Sequence, residues 1–183
     1  MKKGLIILAD ANQVGIGYKL ILPIVKYFYI KGDSKYQIIN LYREGFDPMV
    51  TDTITGSITR SYMHAIKTAD EIHVITNSHL GGISPSFEGF IERIFKNDFA
   101  YQRDGSSRMS RLKSKDIYYY VTYNTKRFRY GPVWLRLKFI IGKLFKSSTV
   151  FQIYLDDVLQ QDTKQYKAGL NESIKKKLNK NRS

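Results

Sequence analysis

The sequence predicts a three-layer α/β domain: a five-stranded parallel sheet in the order 2-1-3-4-5, with helices on both faces. Three observations carry this expectation. Short β-branched apolar runs recur five times along the chain. Stretches with helical periodicity lie between them. The runs end in polar residues rather than alternating with them, which is how strands covered on both faces read. Alternating strand and helix implies right-handed crossovers onto one parallel sheet.

The elements follow in order. Gly4 to Ala9 reads as the first strand. The first helix spans about Gly17 to Ile30, and Pro23 inside it removes a backbone hydrogen bond and is expected to kink it. Tyr36 to Leu41, Glu71 to Thr76, Asp116 to Val121 and Thr149 to Leu155 supply the other strands. Ser57 to Thr68, Val133 to Phe145 and Thr163 to Leu178 supply further helices. The clearest helix carries Phe87, Phe90, Ile91, Ile94 and Phe95 on one face, with Ser84 as N-cap and Pro85 at its first position. In this strand order ligands bind outside the carboxyl ends of the strands, beside the switch in strand order. Three loops fall there: Asp10 to Gly17, Asn77 to Ser84, and Thr122 to Gly131.

A chain of 183 residues is long enough for one full core and short for two, so a single domain over residues 1–183 is expected. No apolar run approaches the roughly 20 residues of a membrane-spanning helix. The run near the amino end stops at Asp10, so it reads as a strand rather than a secretory leader. With no cysteine, disulfides, thiolate metal sites and cysteine nucleophiles are excluded. A cytoplasmic setting is the default expectation. The formal charge of +14 creates a field that attracts polyanions and anionic headgroups. Part of it sits in the tail from Ile174 to Ser183, where a solvated helix end is the plainer account. No nucleic-acid-binding motif accompanies the charge, so nucleic acid is not an expected partner; peripheral contact with a membrane is kept open. No residues show metal-ligand spacing or a Ser-His-Asp order, so no metal is expected.

Between Ala69 and Phe95 the chain reads ADEIHVITNSHLGGISPSFEGFIERIF, and NDFAY follows from Asn97 to Tyr101. Upstream, LYREGFDP runs from Leu41 to Pro48, just after the second strand. Together these segments resemble the NAD(P)H:quinone oxidoreductase family, whose helix carries a Gly-x-x-x-Arg-x-Phe spacing and whose upstream loop carries Phe-Asp-Pro. The resemblance covers roughly residues 3 to 125. Read alone, Gly89 permits close packing, Glu92 and Arg93 form a solvated helix face, Phe99 to Tyr101 fill a core edge, and Asp47-Pro48 starts a turn.

The resemblance implies a flavodoxin-like fold and a flavin, FMN or alternatively FAD, that relays hydride from NAD(P)H to a quinone-like acceptor in a homodimer. It assigns cofactor contacts to Asp10, Asn12, Gly15, Ile16 and Gly17 in the first loop. Asn77, Ser78, His79, Leu80, Gly81 and Gly82 follow in the second, and Thr122, Tyr123, Asn124 and Thr125 in the third. His79, the only histidine in these loops, is the candidate catalytic donor; His64 and His73 read as ordinary helix and strand residues. Lys126 or Arg127 is placed to offset negative charge on a reduced flavin, or else belongs to a generally basic surface.

Departures from the family pattern fall on the cofactor loops. Asn77, Ser78, His79 and Leu80 stand where the family has Pro, Leu, an aromatic residue and Trp. Asp10, Ala11 and Gly15 stand where it has His-Pro and a phosphate-binding Ser. An Asp beside a phosphate repels it unless the Asp is paired, while Gly15-Ile16-Gly17 keeps backbone N–H groups at a helix start, which bind phosphate without any side chain. A second reading follows from these departures: a flavodoxin-fold accessory or regulatory subunit with weak or lost flavin binding, docked on a partner or a membrane face.

Overall fold

The computed structural model describes residues 2–49, 57–79, 82–95, 101–104, 107–110, 112, 114–123 and 150–156, together with 168, 169, 171, 172 and 174–176. The expected helix from Val133 to Phe145 lies outside these residues.

The strands are β1 (Lys3–Ala9), β2 (Lys35–Asn40), β3 (Glu71–His79), β4 (Gly82–Ile83), β5 (Tyr101–Asp104), β6 (Ser107–Ser110), β7 (Asp116–Tyr123) and β8 (Val150–Asp156). Five of them form a parallel sheet in the order β2-β1-β3-β7-β8, which is the expected arrangement with the last two strands renumbered. β4 adds an antiparallel partner at the end of β3, and β5 pairs with β6 as a separate hairpin.

Period-two alternation divides the apolar residues between two faces. Leu5, Ile7, Ile72, Val74, Ile117 and Tyr119 join a core beneath α2 (Ser57–Thr68) and α3 (Pro85–Phe95). Ile6, Leu8, Ile75, Tyr118 and Tyr120 join a second core beneath α1 (Leu22–Lys31), which also takes in Ile174 of the carboxyl-terminal helical residues. Among the described residues of α3, Phe87, Phe90 and Ile94 are buried and Ile91 packs against the same core. The Ser84 hydroxyl accepts the Phe87 N–H at 3.3 Å, so the cap forms where the sequence placed it.

The first helix differs from expectation. Residues Gly17–Ile21 form a π-helical turn, with the Leu22 N–H donating to the Gly17 carbonyl five residues back. Pro23 then sits in the first turn of α1. In a continuous α-helix its ring would collide with the Lys19 carbonyl. The wider turn removes that conflict, and the proline opens the α-helix instead of kinking one.

Candidate functional site

Register brings three segments together at the carboxyl edge of the sheet. Ala9 at the end of β1 pairs with Thr76, and the Thr76 hydroxyl donates to the Ala9 carbonyl at 3.2 Å. β3 continues past that point, where Asn77 and Ser78 pair with Thr122 and Tyr123 of β7. The loop after β1, the β3–β4 hairpin and the end of β7 are therefore neighbours. That is the switch point, since β1 pairs β2 on one side and β3 on the other.

The second expected loop is shorter than the sequence suggests. Asn77, Ser78 and His79 belong to β3, and His79 pairs through its backbone with Gly82. The Ser78 hydroxyl donates to the Gly82 carbonyl at 2.9 Å, tightening the hairpin. Thr122 and Tyr123 likewise end a strand. Asn77, Gly82 and Thr122 are half-buried and Ser78 is buried. Leu80, Gly81, Asn124, Thr125, Lys126 and Arg127 lie outside the described residues. This part of the edge offers neutral amide, hydroxyl and backbone groups, a donor set that suits a planar heteroaromatic ring.

The loop after β1 has a different character. Asp10 is only 2% exposed. Its Oδ1 accepts the Asn12 N–H at 2.9 Å, and the Asn12 side-chain oxygen in turn accepts the Val14 N–H at 3.2 Å. The Gly15 N–H donates to the Asn12 carbonyl at 2.9 Å and the Gln13 N–H to the Ala11 carbonyl at 3.1 Å. Two successive Asx turns and two backbone bonds thus direct the N–H groups of four residues to the loop's own oxygens. Gly17 is buried against Asp10: a Cβ there would lie 2.9 Å from Asp10 Oδ2 and 3.0 Å from Ile75 Cγ2, so only glycine lets the helix start this close to the carboxylate.

A phosphate at a helix start needs outward N–H donors and the positive end of the helix dipole. Here the N–H groups of residues 12 to 15, in the loop before the helical turn, are taken up by the loop itself, no Lys or Arg lies between Asp10 and Gly17, and the buried Asp10 side chain sits against Gly17. The ring end of a flavin mononucleotide fits this edge, and the loop amides of residues 12 to 15 are not open to its phosphate end.

Tyr18 is a site residue the sequence reading passed over. Burial raises its phenol above the ordinary tyrosine value, neighbouring Asn40 pulls it back, and the Asp10 carboxylate raises it further. A phenol directly after Gly17, at the start of the helix, was the available signal.

Two segments that carried the family resemblance touch each other. A Cβ on Gly89 would lie 2.3 Å from the Pro48 carbonyl oxygen, so the Phe46-Asp47-Pro48 segment lies directly on α3. Arg93 donates to the carbonyls of Asp47 at 2.7 Å and Met49 at 2.5 Å, with its guanidinium 4.7 Å from the centre of the Phe46 ring. Arg93 is thus a clamp on this segment rather than part of a solvated face. Glu44 extends the join, accepting the Tyr62 hydroxyl at 2.8 Å and the Asn40 N–H at 2.9 Å.

His73 is buried away from the edge, stacked on Tyr118 with ring centres 4.6 Å apart, and its Nδ1 lies 3.0 Å from the Tyr120 hydroxyl. It is a core residue. Among the described residues, no group of three or more His, Cys, Asp or Glu side chains could hold a metal, and no helix is long and apolar enough to cross a membrane.

No protein-family model matches the sequence, and no curated protein matches it significantly. Solved structures do. The Smu.1420 protein of Streptococcus mutans UA159 is 22% identical with a TM-score of 0.75, over 94% of this chain and 96% of its own. The NAD(P)H:quinone oxidoreductase of Methanothermobacter marburgensis is 12% identical with a TM-score of 0.72, over 94% of each chain. An FMN-dependent NADH-azoreductase of Bacillus anthracis, solved in complex with FMN, is 14% identical with a TM-score of 0.70, over 96% of this chain and 99% of its own. At such identities the likeness speaks to architecture, and the chain has the flavodoxin-like α/β fold that these quinone oxidoreductase and azoreductase structures share.

Proposed function

We propose that this chain is a flavin-dependent oxidoreductase that takes hydride from NAD(P)H and passes it to a small quinone-like acceptor at the carboxyl edge of the sheet. The observation that carries the reading is the convergence of the β1 loop, the β3–β4 hairpin and the end of β7 at the switch in strand order. Support also comes from the shared fold, since solved neighbours include a quinone oxidoreductase and an FMN-dependent azoreductase. A bound flavin would supply the hydride chemistry itself, leaving the protein to place the rings and exclude water.

In this reading Asn77, Ser78, His79, Leu80, Gly81 and Gly82 flank the ring on one side, and Thr122, Tyr123, Asn124 and Thr125 on the other. Asp10, Asn12, Gly15, Ile16 and Gly17 face the flavin's side chain. His79 is the proposed proton donor to the acceptor. The functional unit is a homodimer of single-domain subunits in the cytoplasm.

The test is the absorbance of the purified chain with and without added flavin, followed by NAD(P)H oxidation with a benzoquinone acceptor. A flavin spectrum perturbed by the protein, with acceptor-dependent NAD(P)H loss, is the expected result. An unperturbed spectrum at high micromolar protein would leave the accessory-subunit reading, which the inward-turned β1 loop favours.

A further inference from the structure

The outward face of α1 is apolar where a solvated helix face is ordinarily polar. Pro23, Tyr27 and Ile30 are exposed there, Tyr27 at 53% and Ile30 at 67%. At about 3.6 residues per turn the three fall within an arc of roughly 60°, and Lys26 and Lys31 lie roughly 40° beyond its two edges. The core is served by the other side of the helix, through Leu22, Val25 and Tyr29, so the stripe is a second apolar face rather than an overflow of the first.

The carboxyl-terminal helical residues add charge beside it. Ile174 is buried in the core beneath α1, Lys175 Nζ stands 5.7 Å from the centre of the Tyr27 ring, and both Lys175 and its neighbour Lys176 are exposed. No Asp or Glu occurs between Ala11 and Gly32, and the carboxylates that flank these segments are Asp33 and Glu172. We infer that this face docks on an anionic lipid surface, Tyr27 and Ile30 entering the headgroup layer while the lysines meet lipid phosphates. The inference goes beyond the proposed oxidoreductase function and does not depend on a flavin.

Charge and apolarity together select the occupant. A second copy of the chain would set lysines against lysines with too few carboxylates to pair them. A nucleic acid would neutralise the lysines and leave Pro23 and Ile30 against a charged backbone. An anionic bilayer answers both needs: the stripe leaves water, and the lysine stems lie along apolar surface while their ammonium groups reach the phosphates.

The experiment is cosedimentation of the full chain with phosphatidylcholine vesicles carrying about 30% phosphatidylglycerol, and with phosphatidylcholine alone, in about 0.1 M salt. Binding to the anionic vesicles is expected to be at least about tenfold the tighter, since each lysine near such a surface contributes about fivefold. Tyr27→Gln/Ile30→Gln keeps good helix formers at exposed positions and should weaken binding about tenfold; Lys26→Gln/Lys31→Gln should weaken it about twentyfold. Absence of the wild-type chain from the anionic pellet overturns the inference, as does equal binding to both vesicles. So does a Tyr27→Gln/Ile30→Gln chain that keeps its unfolding midpoint and binds as before. Two further outcomes assign the face elsewhere and overturn it equally: a dimer that this double substitution splits in analytical ultracentrifugation, or salt-sensitive binding of a DNA duplex without binding of vesicles. Should the double substitution lower the unfolding midpoint, the vesicle ratio of the wild-type chain and the lysine pair decide.

Discussion

The segment from Phe46 to Pro48 against α3 and the loop from Asp10 to Gly17 both align with the same family pattern, yet they behave in opposite ways. The first keeps the family residues, and they hold one another: Gly89 admits the Pro48 backbone and Arg93 grips the carbonyls beside it. The second departs from the family, and its replacements close the loop on itself. Family-like residues here mark framework and departures mark the ligand edge. A resemblance carried mainly by framework contacts is strong evidence for fold and weak evidence for ligand.

Substitutions can break or sharpen this contrast. Phe90 sits in the framework between Phe46 and Tyr62, with ring centres 5.9 and 5.5 Å away. Phe90→Ala should lower stability by about 3–5 kcal/mol in denaturant unfolding. An unchanged midpoint would refute the face assigned to α3. Gly89→Ala comes next. Its methyl meets Pro48 backbone, which cannot swing aside, so a loss of about 1–3 kcal/mol should outweigh the gain of roughly 1 kcal/mol in helix propensity. A more stable Gly89→Ala protein would mean that the segment yields freely. Arg93→Ala removes two charge-assisted bonds at a half-buried position, and about 1 kcal/mol is expected from the same measurement.

The smallest effect is a pH dependence. Burial raises Tyr119 and Tyr120 well above the ordinary tyrosine pKa, and burial followed by the bond to Glu44 does the same for Tyr62. Above pH 10 the unfolded chain releases these protons and the folded chain keeps them, so their stabilisation is full below pH 10 and declines as pH rises past it. By pH 10 the loss should be about 0.4 kcal/mol per tyrosine, since half of each unfolded phenol is then ionised. Thermal unfolding at pH 8 and pH 10 would show it, and Tyr62→Phe should flatten the slope.

Much of the framework was legible because burial writes itself into residue type. Five apolar runs gave the sheet order, and Ser84-Pro85 placed the start of α3 to the residue. What escaped was carried by backbone. Asn77, Ser78 and His79 read as loop because they are polar, yet strand pairing uses N–H and C=O groups that every residue has. Pro23 suggested a kink, and nothing in side-chain pattern announces a π-helical turn that absorbs it. The Asp10 charge was visible, whereas the double Asx turn was only hinted at by Asp10 and Asn12 standing two apart. Arg93 looked solvated because its partners are carbonyls more than forty residues away.

Lys115 carries a consequence of a different kind. It is buried just before β7, and its ammonium donates to the carbonyls of Ala69 and, at 3.3 Å, Lys67 at the carboxyl end of α2. An amine so enclosed is shielded from acylating reagents while the surface lysines react. In a timed labelling experiment Lys115 should therefore modify only when α2 lifts from the sheet, making one native residue a clock for that opening.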